Sequence, residues 1–508
     1  MRTVFLLFDS LNRHMLEPYG GKALATPNFA RLAARSATFD KHYVGSMPCM
    51  PARRDILTGR LGFMHRSWGP VEPFDICFTE VLQKAKGTYS HLATDHFHYW
   101  EDGGATYHNR YDSYDLIRGQ EGDRWVAEVS PDFDTLRTKY HPAQFSEKPR
   151  SYPRAHMLNR KRIAAEDEFP SYQTVQAGLE FIETNRDTDN WFLQIECFDP
   201  HEPFHAPDRF KAEFDSGWDG PIRDWPPYGH GRGDTVEDRE LRANYLASIA
   251  HCDALLGQVL DAFDTHDLWQ DTALVVTTDH GFLLGEHDFW AKNRMNLYEE
   301  LAHIPLFLHD PRFPTPGARV DALTQTPDLC ATFLDLHDGP RPESVQGRSL
   351  VPMLQGAPGH DAVMFGFFGG AANVTDGRYT YFRFPEDLMQ QELFQYTLMP
   401  THIFDFFAED ELTEAELSPP MPFSRNMPLL KVPVRPSSAM FNTYGPGCLM
   451  ETKTVLYDLQ TDPGQTKPLH DPAAEARMIR LLGARMSAVS APAEAFRRFD
   501  LTEPECVS

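Results

Sequence analysis

The segment Cys49-Met50-Pro51-Ala52-Arg53-Arg54-Asp55-Ile56-Leu57-Thr58-Gly59-Arg60 sets a thiol, a proline and an arginine at fixed spacing. Pro51 suits the first turn of a helix, where its missing N–H costs nothing. Cys49 then sits at the helix start, where unpaired backbone N–H groups and the helix dipole favour negative charge. Arg53 falls on the same helical face four residues on. The spacing therefore predicts an anionic nucleophile at Cys49 that is stabilised twice. Two further groups follow apolar runs: Asp9 after residues 4–8, and Asp279-His280-Gly281 after residues 273–278. Open α/β sheets bind ligands at the carboxyl ends of such strands. Taken alone, Asp9 serves equally well as a helix cap.

These positions need a sheet to hold them. Residues 3–8 form an unbroken run rich in large apolar side chains, as a strand buried on both faces requires. Thr26 and Pro27 read as an N-cap and a first helical position, with Phe29, Leu32 and Ala33 as the apolar face. The strand pattern recurs at 191–197, 273–278 and 305–308. Between the first two of these, Leu241, Tyr245, Ile249, Cys252, Leu256, Leu260 and Phe263 recur at helical spacing. The alternation predicts an α/β fold with a mostly parallel sheet covered on both faces. From about residue 360 the texture changes to strand-like pieces at 379–384 and 455–459 and a helix near 474–482. The Pro- and Phe-rich stretch at 385–450 predicts an irregular excursion. The expected organisation is a catalytic domain over 1–360, a small C-terminal α+β subdomain over 361–490 containing that insertion, and a tail over 491–508.

With 41% hydrophobic residues the 508-residue chain has material for a full core. Its formal net charge of -25 argues against nucleic acid or an anionic membrane as partner, since the far field repels both. A small anionic substrate is still admissible, because a metal and a few cationic side chains set the potential within a Debye length of roughly 8 Å. The apolar run at 4–8 is too short for a signal-peptide core, and no stretch reaches the length of about 18 residues that spans a bilayer. The expected location is cytoplasmic. Seven scattered cysteines without CxxC spacing argue against a disulfide framework or a structural zinc site.

The Cys49 segment resembles the sulfatase signature C-x-P-x-R-x-x-x-L-T-G-R, and all seven specified positions match. At about 5% per residue type, a chance match in such a chain is on the order of one in a million. The resemblance implies an alkaline-phosphatase-like fold and a sulfuric ester hydrolase of the arylsulfatase type. It also implies conversion of Cys49 by the formylglycine-generating enzyme, which recognises C-x-P-x-R in this family. A thiolate would form a thioester of sulfate with no easy second step. An aldehyde hydrate attacks with one hydroxyl and expels sulfate through the other.

The resemblance extends to further residues. Asp9, Asp279, His280 and residue 49 match the family's site for one divalent metal, Mn2+ or Ca2+. The D-H-G…G-E-H-x-x-x-x-K pattern runs through Gly285-Glu286-His287 to Lys292, a fixed cation against the transferring group. Asp199-Pro200-His201-Glu202-Pro203-Phe204 resembles the P-H-x-P-[FY] loop, whose histidine protonates the departing oxygen. An imidazole with an ordinary pKa of about 6.5 suits that work. His205 is a nearby alternative. Asp95-His96-Phe97-His98 resembles G-K-W-H, so that His98 and His96 take the sulfate-binding positions. Residues 456–463, Leu-Tyr-Asp-Leu-Gln-Thr-Asp-Pro, resemble a strand and turn of sulfatase C-terminal domains.

Two departures bear on substrate and metal. Asp9-Ser10 stands where the family commonly has Asp-Asp, and Asp279-His280 where it has Asp-Asn. A nitrogen ligand makes the site softer and less calcium-like. Asp-His resembles the phosphonate monoester hydrolases, often associated with manganese. A phosphonate monoester or phosphodiester hydrolase with the same site is therefore the alternative. A non-catalytic scaffold for sulfated ligands would be expected to lack one of Cys49, Arg53, Asp279 or Lys292, and all are present. The expected partners are a small sulfate ester and the maturation enzyme, and assembly into a homo-oligomer stays open.

Overall fold

The computed structural model describes residues 1–502. Cys506 and the end of the expected tail lie outside the described residues. A nine-stranded sheet forms the centre, with Thr272–Thr278, Arg2–Phe8, Trp191–Cys197, Tyr89–Thr94 and Ser113–Leu116 adjacent in that order and parallel. Alternation along the first strand explains why it is apolar throughout. Phe5 and Leu7 pack into one core, with Met50, Ile56, Phe78 and Phe333, while Val4, Leu6 and Phe8 pack into the other, with Phe29, Ile182 and Leu256. Each face is thus covered by helices, as a parallel sheet requires.

The long helix Val236–Thr265 buries all seven of the periodic positions from Leu241 to Phe263. It also corrects one expectation. The hydroxyl of Thr26 does not cap the helix Pro27–Arg35 but accepts from the Glu17 backbone N–H. The first-turn N–H groups of Asn28 and Phe29 donate instead to Asp253 of the long helix. A carboxylate from a packed neighbour replaces the local cap and ties the two helices together. A second correction concerns 305–308. The strand there, Leu306–His309, runs antiparallel to both its neighbours, Thr272–Thr278 and Ala37–Tyr43, and continues the two-residue strand His303–Ile304, which pairs with Ala37–Tyr43 in the same sense.

The C-terminal region adds a five-stranded sheet, ordered Val455–Asp458, Tyr379–Arg383, Ala372–Thr375, Val363–Phe367 and Ser46–Met47. Its last strand belongs to the N-terminal part and leads directly into the Cys49 helix. The helix Pro472–Ala488 covers this sheet through Met478, Leu482 and Met486. The stretch 385–450 is not wholly irregular, since Phe394–Thr397, Leu429–Pro433 and Glu416–Ser418 form a three-stranded antiparallel sheet. Its side chains pack inward on residues before 80: Arg66 donates to Gln395 and to the Thr401 carbonyl, and Glu72 accepts from the Leu398 N–H at 2.9 Å. The expected tail likewise begins with a helix, Ala493–Arg498, whose Phe496 is buried. Among the described residues no helix is long and apolar enough to cross a membrane.

Candidate active site

Strand register brings the acids together. Phe8 lies opposite both Cys197 and Thr278, so Asp9 and Asp279 emerge side by side at the carboxyl edge. Cys49 opens the helix Cys49–Thr58, all of it buried. The second half of the signature shapes the helix end. The Thr58 hydroxyl donates to the Arg54 carbonyl at 2.7 Å, and Gly59 takes φ 69° as the helix cap. Left-handed backbone favours glycine, and a Cβ there would come 2.7 Å from Val345. Gly281, after Asp279-His280, is equally constrained, because a Cβ would lie 1.8 Å from the Glu300 carbonyl oxygen.

Arg53 reaches from this helix into three buried carboxylates. Nη2 donates to Asp9 at 2.8 Å, Nη1 to Asp279 at 2.6 Å and Nε to Glu196 at 2.7 Å. Burial opposes the charge of Arg53, but Glu196, Asp279 and Asp9 together hold its pKa well above the ordinary value. Burial likewise works to raise Asp9, and Arg53 and Lys292 more than offset it, so Asp9 stays below the usual carboxylate range. Ser10, at φ 61°, links the other oxygens: its hydroxyl donates to Asp9 Oδ1 at 2.7 Å and its N–H to Asp279 Oδ1 at 3.1 Å. Lys292 Nζ donates to the Ser10 hydroxyl at 3.0 Å. Burial works against that lysine's charge, but Glu202, Cys49 and Asp9 keep its pKa raised.

Ligand atoms of Asp9, Cys49, Asp279 and His280 lie within 4.8 Å of one another, and all four residues are buried. His280 Nδ1 faces the Gly281 carbonyl at 2.9 Å, which places the ring proton there and leaves Nε2 bare. Nε2 is buried without a hydrogen-bond partner. Burial holds this ring below its ordinary pKa, in the neutral form that a metal ligand needs. Two carboxylates, a bare imidazole nitrogen and residue 49 fit a divalent ion. The Cys49 thiol itself is pushed well above its ordinary pKa by burial and by Asp9, so it is protonated and a poor nucleophile.

The histidines divide. His201 is buried in the loop beyond Cys197, its Nδ1 2.6 Å from the Glu202 carbonyl and its ring against Phe198 at 4.2 Å. Burial and the charge of Lys292 hold it well below its ordinary pKa. His96 is wholly buried 3.7 Å from Asp9, and neither ring nitrogen has a hydrogen-bond partner. His98 stands beside it, with ring centroids 5.2 Å apart, and its Nδ1 meets Glu101 at 2.6 Å. Trp68 packs edge-on against His98 at 4.9 Å and stacks on Tyr444 at 4.1 Å. The 385–450 excursion thus supplies part of the wall. His205 is not part of this group, since it lies against Phe169 and His156, 4.7 and 6.3 Å away. His287 stacks on Tyr298 and bonds Glu300, so the G-E-H element supports the turn toward Lys292.

Sequence reasoning missed Glu196, Trp68 and Tyr444, and read Ser10 only as a departure from the family's second aspartate. Glu196 had a signal: it is the one charged residue in the wholly buried strand Trp191–Cys197. The aromatic residues had none, because their stretches show no periodicity.

This is an α/β hydrolase centre of the alkaline phosphatase superfamily type. The sulfatase family profile matches residues 2–339, and one described as N-sulphoglucosamine sulphohydrolase, C-terminal, matches 285–418. The chain belongs to the sulfatase family. It is similar to the choline-sulfatase of Rhizobium meliloti (strain 1021), 24% identical over 424 residues, covering 74% of this chain and 77% of that one. The arylsulfatase of Clostridium perfringens (strain 13 / Type A) is 23% identical over 394 residues, covering 69% and 78%. Among solved structures, the phosphonate monoester hydrolase of Silicibacter pomeroyi matches with a TM-score of 0.62 and 20% identity, covering 96% of each chain. That likeness bears on the fold, which is the one expected.

Proposed function

We propose that this chain hydrolyses sulfate monoesters, aryl sulfates among them, with residue 49 converted to formylglycine. The observation that carries this reading is the convergence of Cys49, Asp9, Asp279 and His280 within 4.8 Å, with Arg53 bonded to both aspartates. The formylglycine hydrate would supply the nucleophile at sulfur and, through its second hydroxyl, the exit for sulfate. A divalent ion held by Asp9, Asp279, His280 and residue 49 would supply a Lewis acid beside the transferring group. Manganese suits the nitrogen ligand better than calcium does.

The chain's own residues do the rest. Arg53 acts by fixing the directions of Asp9, Asp279 and Glu196, since its donors are engaged there. Lys292 sets a fixed positive charge against the sulfate oxygens. His96 and His98 also bind those oxygens, His98 with its Nδ1 proton held by Glu101. His201 donates a proton from Nε2 to the departing oxygen, its Nδ1–H being held by the Glu202 carbonyl. The negative charge of a bound ester favours the imidazolium that this step needs. Trp68, Tyr444 and Phe404 offer apolar faces to an aryl group.

His280 in place of an asparagine favours a second reading, hydrolysis of phosphonate monoesters or phosphodiesters at the same centre. The test compares kcat/KM on an aryl sulfate with that on the matching aryl phosphonate monoester. A higher value for the sulfate is expected, and a clear preference for the phosphonate would replace the first reading by the second.

A further inference from the structure

Next to His201 lies a pair of acids that the chemistry above leaves unused. Ligand atoms of Glu121, His201 and Glu202 come within 4.8 Å of one another, and all three residues are buried. Glu202 is fully buried, and its Oε1 accepts from the Tyr228 hydroxyl. Its Oε2 lies 3.4 Å from His201 Nδ1 but makes no hydrogen bond, because that nitrogen is already turned to the Glu202 carbonyl. Several other buried acids are answered by a cation at bonding distance, Asp75 by Arg54, Glu72 by Arg66 and Asp224 by Arg160, and Asp55 and Asp95 by neutral donors. Among the described residues no lysine or arginine pairs with Glu121 or Glu202 in this way. Burial and the neighbouring Glu202 push the Glu121 carboxyl well above its usual range. Two acids side by side out of water, with only the longer-range charge of Lys292 and no cation at bonding distance, are costly to ionise unless a further positive charge joins them.

The position says what that charge belongs to. The acids cluster with His201, and Lys292 lies within electrostatic reach of Glu202 as well as of Cys49 and Asp9, so the acidic pair borders the catalytic centre. It does so on the side of His201, the residue assigned to the leaving oxygen. The Tyr228 hydroxyl donates to Glu202, which brings one aromatic ring to the pair, and an aromatic face suits a cation. We infer that Glu121 and Glu202 form a subsite for a positively charged nitrogen carried by the alcohol part of the ester. The substrates are then sulfate esters of ammonium-bearing alcohols, an inference that rests on the sulfate-hydrolase reading above. A second divalent ion fits less well, since it would take a His201 nitrogen as ligand and remove the proton donor.

The test uses metal-loaded, formylglycine-bearing enzyme and a charge-only substrate pair: 2-(trimethylammonio)ethyl sulfate and its carbon isostere 3,3-dimethylbutyl sulfate. The ratio of their kcat/KM values should favour the cation in the wild type and fall about tenfold or more in Glu121→Gln and Glu202→Gln, the size of one lost charge contact. Intrinsic leaving-group differences cancel when the ratio is compared between enzymes. Should either variant fail to fold, inhibition of the wild type supplies the answer. The (2-hydroxyethyl)trimethylammonium cation should compete with an aryl sulfate at least about tenfold better than 3,3-dimethylbutan-1-ol. A wild type that hydrolyses both esters without preference, or a preference that both variants retain, would overturn the subsite and leave the hydrolase reading standing. A second metal ion per chain that Glu121→Gln loses would overturn it in favour of a metal site. If neither ester nor an aryl sulfate is hydrolysed, the hydrolase reading falls, and the subsite with it.

Discussion

Replacing Glu196 by glutamine asks whether the clamp on Arg53 organises the centre. The change keeps the shape and removes the charge. In the native site Arg53 Nε donates to Oε1 at 2.7 Å, while the Tyr99 hydroxyl and Gln194 Nε2 donate to Oε2 at 2.9 and 2.7 Å. A carboxylate accepts all three, but an amide has one accepting oxygen, and its NH2 must face at least one of these donors. Losing a charge-assisted hydrogen bond costs about 1.5–3 kcal/mol, and stranding a buried donor about 1–3 kcal/mol more. Glu196 is fully buried, so solvent does not screen the loss. An unfolding entropy of about 2.1 cal/mol/K per residue gives roughly 1.1 kcal/mol/K for 508 residues. A loss of about 4 kcal/mol therefore lowers the melting temperature by about 4 °C, readable by scanning calorimetry. With Arg53 free to turn, Asp9 and Asp279 lose their alignment, and kcat should fall by up to about 100-fold while KM moves little. Native melting together with native kcat in Glu196→Gln would refute the clamp.

Other outcomes follow from the same geometry. Exhaustive chelation should abolish turnover, and manganese should restore it at least as well as calcium, with one ion per chain by elemental analysis; activity in metal-free protein would contradict the ligand set. His201→Ala should slow esters of basic alcohols far more than esters of acidic phenols, steepening log rate against leaving-group pKa. A uniform loss would mean that His201 only positions the substrate. Burial holds His42 and His65 down to about 3 and His251 down to about 4. Such rings take a proton on unfolding but not in the fold, so stability should decline as pH falls from about 6.5 toward 4, by about 1.4 kcal/mol per unit and per ring. His251→Gln should flatten that decline in melting temperature, and an unchanged slope would count against it.

Much of the centre was legible because single residue types carried it. The Cys49 segment combines a helix start with a fixed i to i+4 arginine, and Asp9 and Asp279 end apolar strands whose register the parallel sheet fixes. The fold was legible for the same reason, since the first strand is buried on both faces and reads as an unbroken apolar run. What escaped depends on contacts between distant segments. Asp253 caps a helix that begins at Pro27, and Glu196 answers an arginine from another element. The wall formed by Trp68 and Tyr444 joins residues far apart along the chain. The small sheet within 385–450 escaped because its strands are short and separated by long turns, which leaves no period to read.

The central claim is that formylglycine at position 49 does the chemistry, and one measurement reaches it directly. Protein made with and without the maturation enzyme would be digested with trypsin, and the peptide ending at Arg53 weighed to give the fraction converted. Turnover of an aryl sulfate should rise in proportion to that fraction and extrapolate to zero where every Cys49 keeps its thiol. Full turnover by protein carrying only unmodified Cys49 would contradict the account.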